Sequence, residues 1–229
     1  MKIPFMSQED LIITFIGQKE LFLSTFSREN NHLTLQAHQT ILLPDNTFIK
    51  GFLFRPTFIT DQVMIFMKTH APQAAQIAFV IDNKDTIREC YTSDNETPFT
   101  TSHSTEKDAV IWQSMPLSPD TTLPIYSAGI AQTAVLQYLL LAHTIKLTCI
   151  TITSLYGSLL MVCHHLRAAM LFPSTTTFPT TTTQLIQFLQ EQKTSSYFTY
   201  PIKNASDPSP KPDHFFGSLG LFLAGKNII

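Results

Sequence analysis

The stretch DLIITFIGQKELFLSTFSRENNHLTLQAHQ, residues 10–39, contains three short apolar segments separated by turns. The segments Asp10–Ile16, Glu20–Phe26 and His32–Gln39 are rich in Ile, Leu, Phe and Thr, and β-branched and aromatic residues favour strands. The two connections between them are short and turn-prone. We therefore expect three consecutive strands that form a meander.

The segment after the meander has the pattern of an extended piece, a helix and a buried strand. Thr47–Phe54 is bounded by prolines and is predicted to be extended. Thr60 is predicted to cap a helix from Asp61 to about His70, because its hydroxyl suits the first turn and the apolar residues that follow recur on one helical face. Ile77–Ile81 is fully apolar, which is typical of a strand at the centre of a sheet covered on both sides.

The second half of the chain continues the pattern after a polar insert. Residues 92–124 are rich in Thr, Ser and Pro and contain Trp112, the single tryptophan. Apolar spacing then predicts a helix over Ile130–Ala142, Leu147–Ile152 reads as another buried strand, and Ser154 is predicted to cap a further helix. The order β-β-β-α-β-insert-α-β-α is that of one ribonuclease-H-like lobe of the α/β class, the building block of actin-like proteins.

The composition changes after this lobe, which we assign to residues 1–172. Residues 173–212 form a Thr- and Pro-rich excursion with a short helix near Thr183–Gln192 and a strand near Tyr197–Ile202. This leaves too little chain for a second lobe. Residues 213–229 contain the apolar helix pattern DHFFGSLGLFLAGK, which needs cover and is predicted to pack back on the first lobe.

The composition argues against nucleic-acid binding and membrane insertion. Fifteen basic and 17 acidic residues give a net charge of −2, and the basic residues form no run. No apolar stretch reaches the roughly 20 residues of a membrane-spanning helix, and the first residues do not resemble a signal peptide. The three cysteines have no pattern, which favours reduced thiols. We expect a soluble cytosolic protein.

Several segments follow the pattern of a known family: the opening strand-Gly-strand, the Leu42-Leu43-Pro44 turn, the stretch Gly51–Pro56, residues 125–166 and the closing FFGSLGLFLAGK. Together they resemble the PilM/HofM proteins of type IV pilus and competence machinery. The resemblance covers about residues 1–91, 125–170 and 213–227. It implies an actin-like fold and a cytoplasmic scaffold, peripheral at the inner membrane, in pilus assembly.

The resemblance also implies a partner and a place for it. In the family, the cytoplasmic N-terminal tail of an inner-membrane, PilN-type protein docks between the first lobe and the inserted subdomain. At the corresponding junction of this chain lie Arg88, Tyr91 and Trp112, and we predict them as partner-binding residues. Arginine and aromatic residues are favoured anchors at such sites.

Two departures from the family pattern predict that ATP is not bound and that no cofactor is needed. The family's first hairpin usually reads Asp-x-Gly near the nucleotide, whereas this chain has Phe15-Ile16-Gly17. The second-lobe phosphate loop has no counterpart. The resemblance therefore implies a pseudo-ATPase that acts as a scaffold and not as an enzyme.

Two alternative functions stay open at this point. One is a degenerate ribonuclease-H-like hydrolase that uses Asp82 at the end of the fourth strand, although such an enzyme needs further carboxylates to hold metal ions. The other is an interaction protein repurposed for another pathway. The cluster Cys163-His164-His165 is not expected to bind metal, because adjacent helical residues point about 100° apart.

Overall fold

The fold is described from a computed structural model of the chain. It describes residues 11–29, 32–49, 51–83, 86–92, 110–117, 125–168, 178–191, 198–199 and 209–224.

Eleven strands and five helices are formed in the described part of the chain. The strands are β1 (Leu11–Gly17), β2 (Glu20–Glu29), β3 (His32–Leu42), β4 (Phe48–Ile49), β5 (Phe52–Leu53), β6 (Gln76–Asp82), β7 (Ile87–Thr92), β8 (Val110–Pro116), β9 (Ile125–Ala131), β10 (Thr148–Ser154) and β11 (Phe198–Thr199). The helices are α1 (Pro56–His70), α2 (Gln132–Thr144), α3 (Leu155–Ala168), α4 (Thr182–Glu191) and α5 (Pro212–Ala224).

A six-stranded sheet with the order β10-β6-β1-β2-β3-β11 forms the centre of the molecule. The predicted meander is confirmed, since β1, β2 and β3 pair antiparallel in sequence. β6 then lies parallel to β1, and β10 lies parallel to β6. The predicted order of elements and the ribonuclease-H-like, actin-like fold class are therefore correct.

Helices cover both faces of the central sheet. Phe15 of β1 contacts His214 of α5, with ring centroids 4.6 Å apart, so α5 lies on one face together with α3. Phe79 of β6 contacts Tyr138 of α2 at 5.3 Å, which places α2 on the other face beside α1. β1 is buried along its whole length because it is covered on both sides.

The insert contains a second, three-stranded antiparallel sheet with the order β7-β9-β8. The sheet spans Ile87 to Ala131 and so begins before and ends after the polar segment 92–124 that marks the insert in the sequence. Residues 93–109 and 118–124 lie outside the described part of the chain. Ile130, expected at the start of a helix, lies instead in the central strand β9, and α2 begins at Gln132.

Two further local predictions are wrong. Thr60 does not cap α1: the helix begins at Pro56, whose fixed φ suits the first helical position, and the Thr60 hydroxyl donates to the Pro56 carbonyl from inside the helix. β10 is not a central buried strand. It lies at an end of the sheet order, and its first five residues are exposed or half-buried.

The C-terminal helix packs back on the lobe as predicted. Ten consecutive residues of α5, from His214 to Leu223, are buried against β1, β2, β6 and α3. From the excursion, α4 packs against α3 and α5, and β11 pairs parallel with the outer side of β3. The described residues thus form one lobe and its inserted sheet, without a second lobe. None of the helices seen in them is both long and apolar enough to cross a membrane.

Candidate functional site

A groove of about 230 Å³ lies between the inserted sheet and the lobe. Three walls enclose it: the inserted sheet with its strands β8 and β9, the helix α2 and the strand β10. Its lining consists of Ile111 and the β9 residues Ala128 and Ile130 on the inserted sheet, Val135 and Leu139 on α2, and residues 149–154 of β10. Its volume is below the roughly 300–1,000 Å³ of most small-molecule sites, which makes the groove better suited to a few side chains of a peptide.

The α2 wall of the groove is apolar and continues onto the surface. Residues 132–144 contain no Asp, Glu, Lys or Arg. Leu136, Leu139 and Leu140 are exposed, and Ile111 across the groove is 50% exposed. Exposed large apolar residues that lie together mark interaction surfaces more often than isolated ones do.

Two hydrogen bonds hold the inserted sheet to the lobe. The Tyr126 hydroxyl of β9 hydrogen-bonds the Ser154 hydroxyl at the end of β10. Ser154 Oγ also accepts a hydrogen bond from the Gly157 N–H at 2.9 Å, which confirms its predicted role as the cap of α3. A ring nitrogen of His164 on α3 lies 2.8 Å from the Pro116 carbonyl oxygen at the end of β8. These contacts connect the inserted sheet to β10 and to α3 of the lobe.

The groove lacks an activated nucleophile among its described side chains. Burial raises the pKa of the Cys149 thiol to about 11, so the thiol is protonated at neutral pH. Cys163 is fully buried in α3, and burial raises the pKa of its thiol as well. Burial lowers the pKa of the neighbouring His164. No group of three His, Cys, Asp or Glu side chains that could hold a metal ion occurs among the described residues.

The end of β1, where the family pattern places a carboxylate, is apolar. Phe15 is fully buried under α5, and residues 11–17 contain no acid. Asp82 is exposed at the end of β6, where its Cα pairs with that of Gly17. The β1 strand therefore supplies no second carboxylate beside Asp82 for a ribonuclease-H-type metal pair.

The predicted partner-binding residues lie on the outer strands of the inserted sheet. Arg88 on β7 and Trp112 on β8 both pair with Gly129, and Tyr91 pairs with Tyr126. In sequence, Gly129 lies between Ala128 and Ile130, two residues of β9 that line the groove. The side chains of these three residues lie outside the described part, and their role stays a prediction.

The groove residues on α2 and β10 were not predicted from the sequence. The sequence does contain an indication for α2. This helix has no charged residue, and it has three leucines in addition to those that one buried face requires. The signal for β10 was absent, because its apolar pattern suits a central strand as well as an edge strand.

Comparison with solved structures agrees with this fold. The chain is similar to a structure described as the PilM-PilN type IV pilus biogenesis complex, with a TM-score of 0.55 at 14% identity over 71% of this chain. The aligned part spans 51% of that chain, about half its length. This similarity supports the actin-like fold alone.

Two further solved structures are less similar to the chain. One is the cytoplasmic domain of EpsL, an inner-membrane component of the type II secretion system of Vibrio cholerae, with a TM-score of 0.41 at 8% identity over 65% of this chain and 56% of that one. The other is a Bacteroides thetaiotaomicron protein with an actin-like ATPase fold and unknown function, with a TM-score of 0.39 at 9% identity over 73% and 60% of the two chains. No protein-family model and no curated protein matches the sequence.

Proposed function

We propose that the protein is a non-catalytic scaffold that binds the cytoplasmic tail of an inner-membrane partner of the PilN type. In this proposal it acts in the cytoplasm, at the inner membrane, in the assembly of a type IV pilus or competence machine. The observation that carries the proposal is the apolar groove between the lobe and the inserted sheet. It occupies the junction at which the resemblance to PilM/HofM proteins implies a peptide site.

The shape and chemistry of the groove support a peptide ligand. Val135, Leu139 and Ile111 offer apolar contacts on two walls, and β10 offers a polar backbone along the third. Extended peptides bind through this combination, in which main-chain hydrogen bonds supply affinity and side-chain pockets supply specificity.

A titration with a synthetic peptide tests the proposal. The probe is the N-terminal cytoplasmic tail of the PilN-type protein from the same organism, and we expect micromolar binding by calorimetry. Leu139→Glu should weaken binding about tenfold or more, because it buries a carboxylate against the peptide. Leu42→Glu is the matched control, since Leu42 is 74% exposed on β3, four strands away from β10.

The same titration decides between the groove and the predicted partner-binding residues Arg88 and Trp112. Sensitivity to Leu139→Glu with tolerance of Trp112→Ala and Arg88→Ala would place the tail in the groove. Sensitivity to Trp112→Ala and Arg88→Ala alone would place the site at those residues and not in the groove. A tail that does not bind the unmodified protein would refute the PilN-type partner and leave an interaction protein of another pathway.

We further propose that the protein does not bind ATP. Phe15 fills the position of the expected carboxylate and is covered by α5. A ligand that binds only the folded state raises the melting temperature, and the rise grows with the logarithm of the ligand concentration once this exceeds Kd. We therefore expect millimolar Mg-ATP to leave the melting temperature unchanged, and a rise of several degrees would contradict this proposal.

A further inference from the structure

We infer that the segment bound in the groove adds to the central sheet as a new strand on the outer edge of β10. This inference rests on the function proposed above and specifies how the partner is held. It turns the six-stranded sheet into a seven-stranded one whose last strand belongs to the partner.

The lining of the groove indicates that β10 presents its edge and not one of its faces. Six consecutive residues, 149–154, border the groove. Successive side chains of a strand point to opposite faces, so a ligand lying on one face would meet only every second residue. A ligand that meets all of them lies beside the strand, in the plane of the sheet.

The outer edge of β10 has backbone groups directed at the groove. The Thr148 N–H donates to the Ala75 carbonyl at 2.9 Å, which places the amide of Thr148 on the β6 side. The register shifts by one residue at Ile150, after which Ile152 pairs with Phe79. Successive residues of a strand direct their N–H groups to alternate sides. The amides of Thr151 and Thr153 therefore point to β6, and the amide of Ile152 points to the groove. No strand pairs with this side of β10 among the described residues.

The opposite walls define the chemistry of the added strand. Ile111, Ile130 and Leu139 face the groove from the inserted sheet and from α2. A strand paired with β10 turns every second side chain to the same face. The partner segment is therefore a short extended peptide with apolar side chains at alternate positions, and it has no proline where its N–H must bond β10.

Single N-methylation along the tail peptide tests strand addition directly. A methyl group removes one backbone donor and obstructs pairing while leaving the side chains unchanged. We expect about a tenfold loss of affinity at every second position of the bound segment and less than about a threefold loss at the positions between. Each methylated peptide serves as the control for its neighbour.

Amide hydrogen exchange on the intact protein supplies the second readout. Binding of the unmethylated tail should slow exchange of the Ile152 amide at least about tenfold, because that amide gains a partner. The amides of Thr151 and Thr153 already bond β6 and should change much less.

The outcomes separate this inference from the proposed function. Tight binding with uniform tolerance of N-methylation, or without protection of Ile152, would overturn strand addition and leave the scaffold function standing. Failure of the unmethylated tail to bind would overturn both.

Discussion

Gly220 lies where α5 crosses α3 at close range. A Cβ at this position would lie 1.9 Å from the carbonyl oxygen of Ser158, a backbone atom that cannot yield without moving α3. We expect Gly220→Ala to lower the free energy of unfolding by about 3 kcal/mol, at the upper end of the range for overpacking. Urea denaturation followed by circular dichroism measures this difference.

Gly217→Ala is the matched control one turn earlier on the same helix. Its Cβ would meet the end of the Leu155 side chain at 2.8 Å, and that side chain can move aside. The gain of about 1 kcal/mol in helix propensity offsets much of the remaining cost. Equal losses in the two variants would contradict a special role for the crossing at Gly220.

His214 makes the stability of the fold depend on pH. It is buried between the rings of Phe15 and Phe22, and burial lowers its pKa against the opposing effect of Asp213 and Glu20. An unfolded histidine titrates near 6.5, so the unfolded chain binds the proton more readily and stability decreases as the pH falls below that value.

We expect the melting temperature to fall between pH 7.5 and pH 5.5, and to fall less in His214→Phe. Phenylalanine keeps the aromatic packing and removes the titrating group. Parallel melting curves of the two proteins over this pH range measure the contribution of His214. Equal slopes would show that the pH dependence arises elsewhere.

The first turn of α3 is stabilised by a side-chain cap, Ser154, whereas the first turn of α1 has no side-chain cap. Ser154→Ala removes the acceptor of the Gly157 N–H and the partner of the Tyr126 hydroxyl, and should cost about 1–2 kcal/mol. Thr60→Ala removes only a hydroxyl that bonds the Pro56 carbonyl within α1, and should cost less. Urea midpoints compare the two, and a larger effect at Thr60 would contradict this assignment.

The elements of the lobe follow from the sequence because their patterns are local. β1, β2, β3 and β6 carry dense apolar segments between turns, and their order was predicted correctly. β9 was missed because it is the central strand of the inserted sheet and buried on both faces. Its small residues Ser127, Ala128 and Gly129 give no alternation, and Ile130 also fits the spacing of the helix that follows.

The candidate site follows from the sequence only in part. The resemblance indicates the junction of lobe and insert, and the groove lies there. The groove itself depends on β10 being at the end of the sheet order, and this is a property of tertiary pairing that a local pattern does not encode. The exposure of Leu139 likewise depends on which element packs beside α2. A local sequence pattern therefore does not predict that Leu139 lines the groove.

The helix α5 covers one face of the central sheet and so closes the hydrophobic core of the molecule. We expect a chain that ends at Pro210 to lose cooperative unfolding, because the sheet face around Phe15 then faces water. Circular dichroism during urea denaturation measures the loss of a sharp transition. Lys211→Ala is the control, since it removes only an exposed ion pair with Glu20 and should cost less than about 1 kcal/mol. A sharp transition in the shortened chain would contradict this view.

The packing of α5 on β1 also has a consequence for synthesis on the ribosome. β1 begins at Leu11, and the helix that covers it begins at Pro212, about 200 residues further along the chain. Synthesis proceeds at about 5–20 residues per second, so α5 follows β1 out of the ribosome only after roughly 10–40 s. During that interval an apolar sheet face is open to nascent-chain chaperones, and synonymous codons that slow translation before Pro212 would lengthen its exposure.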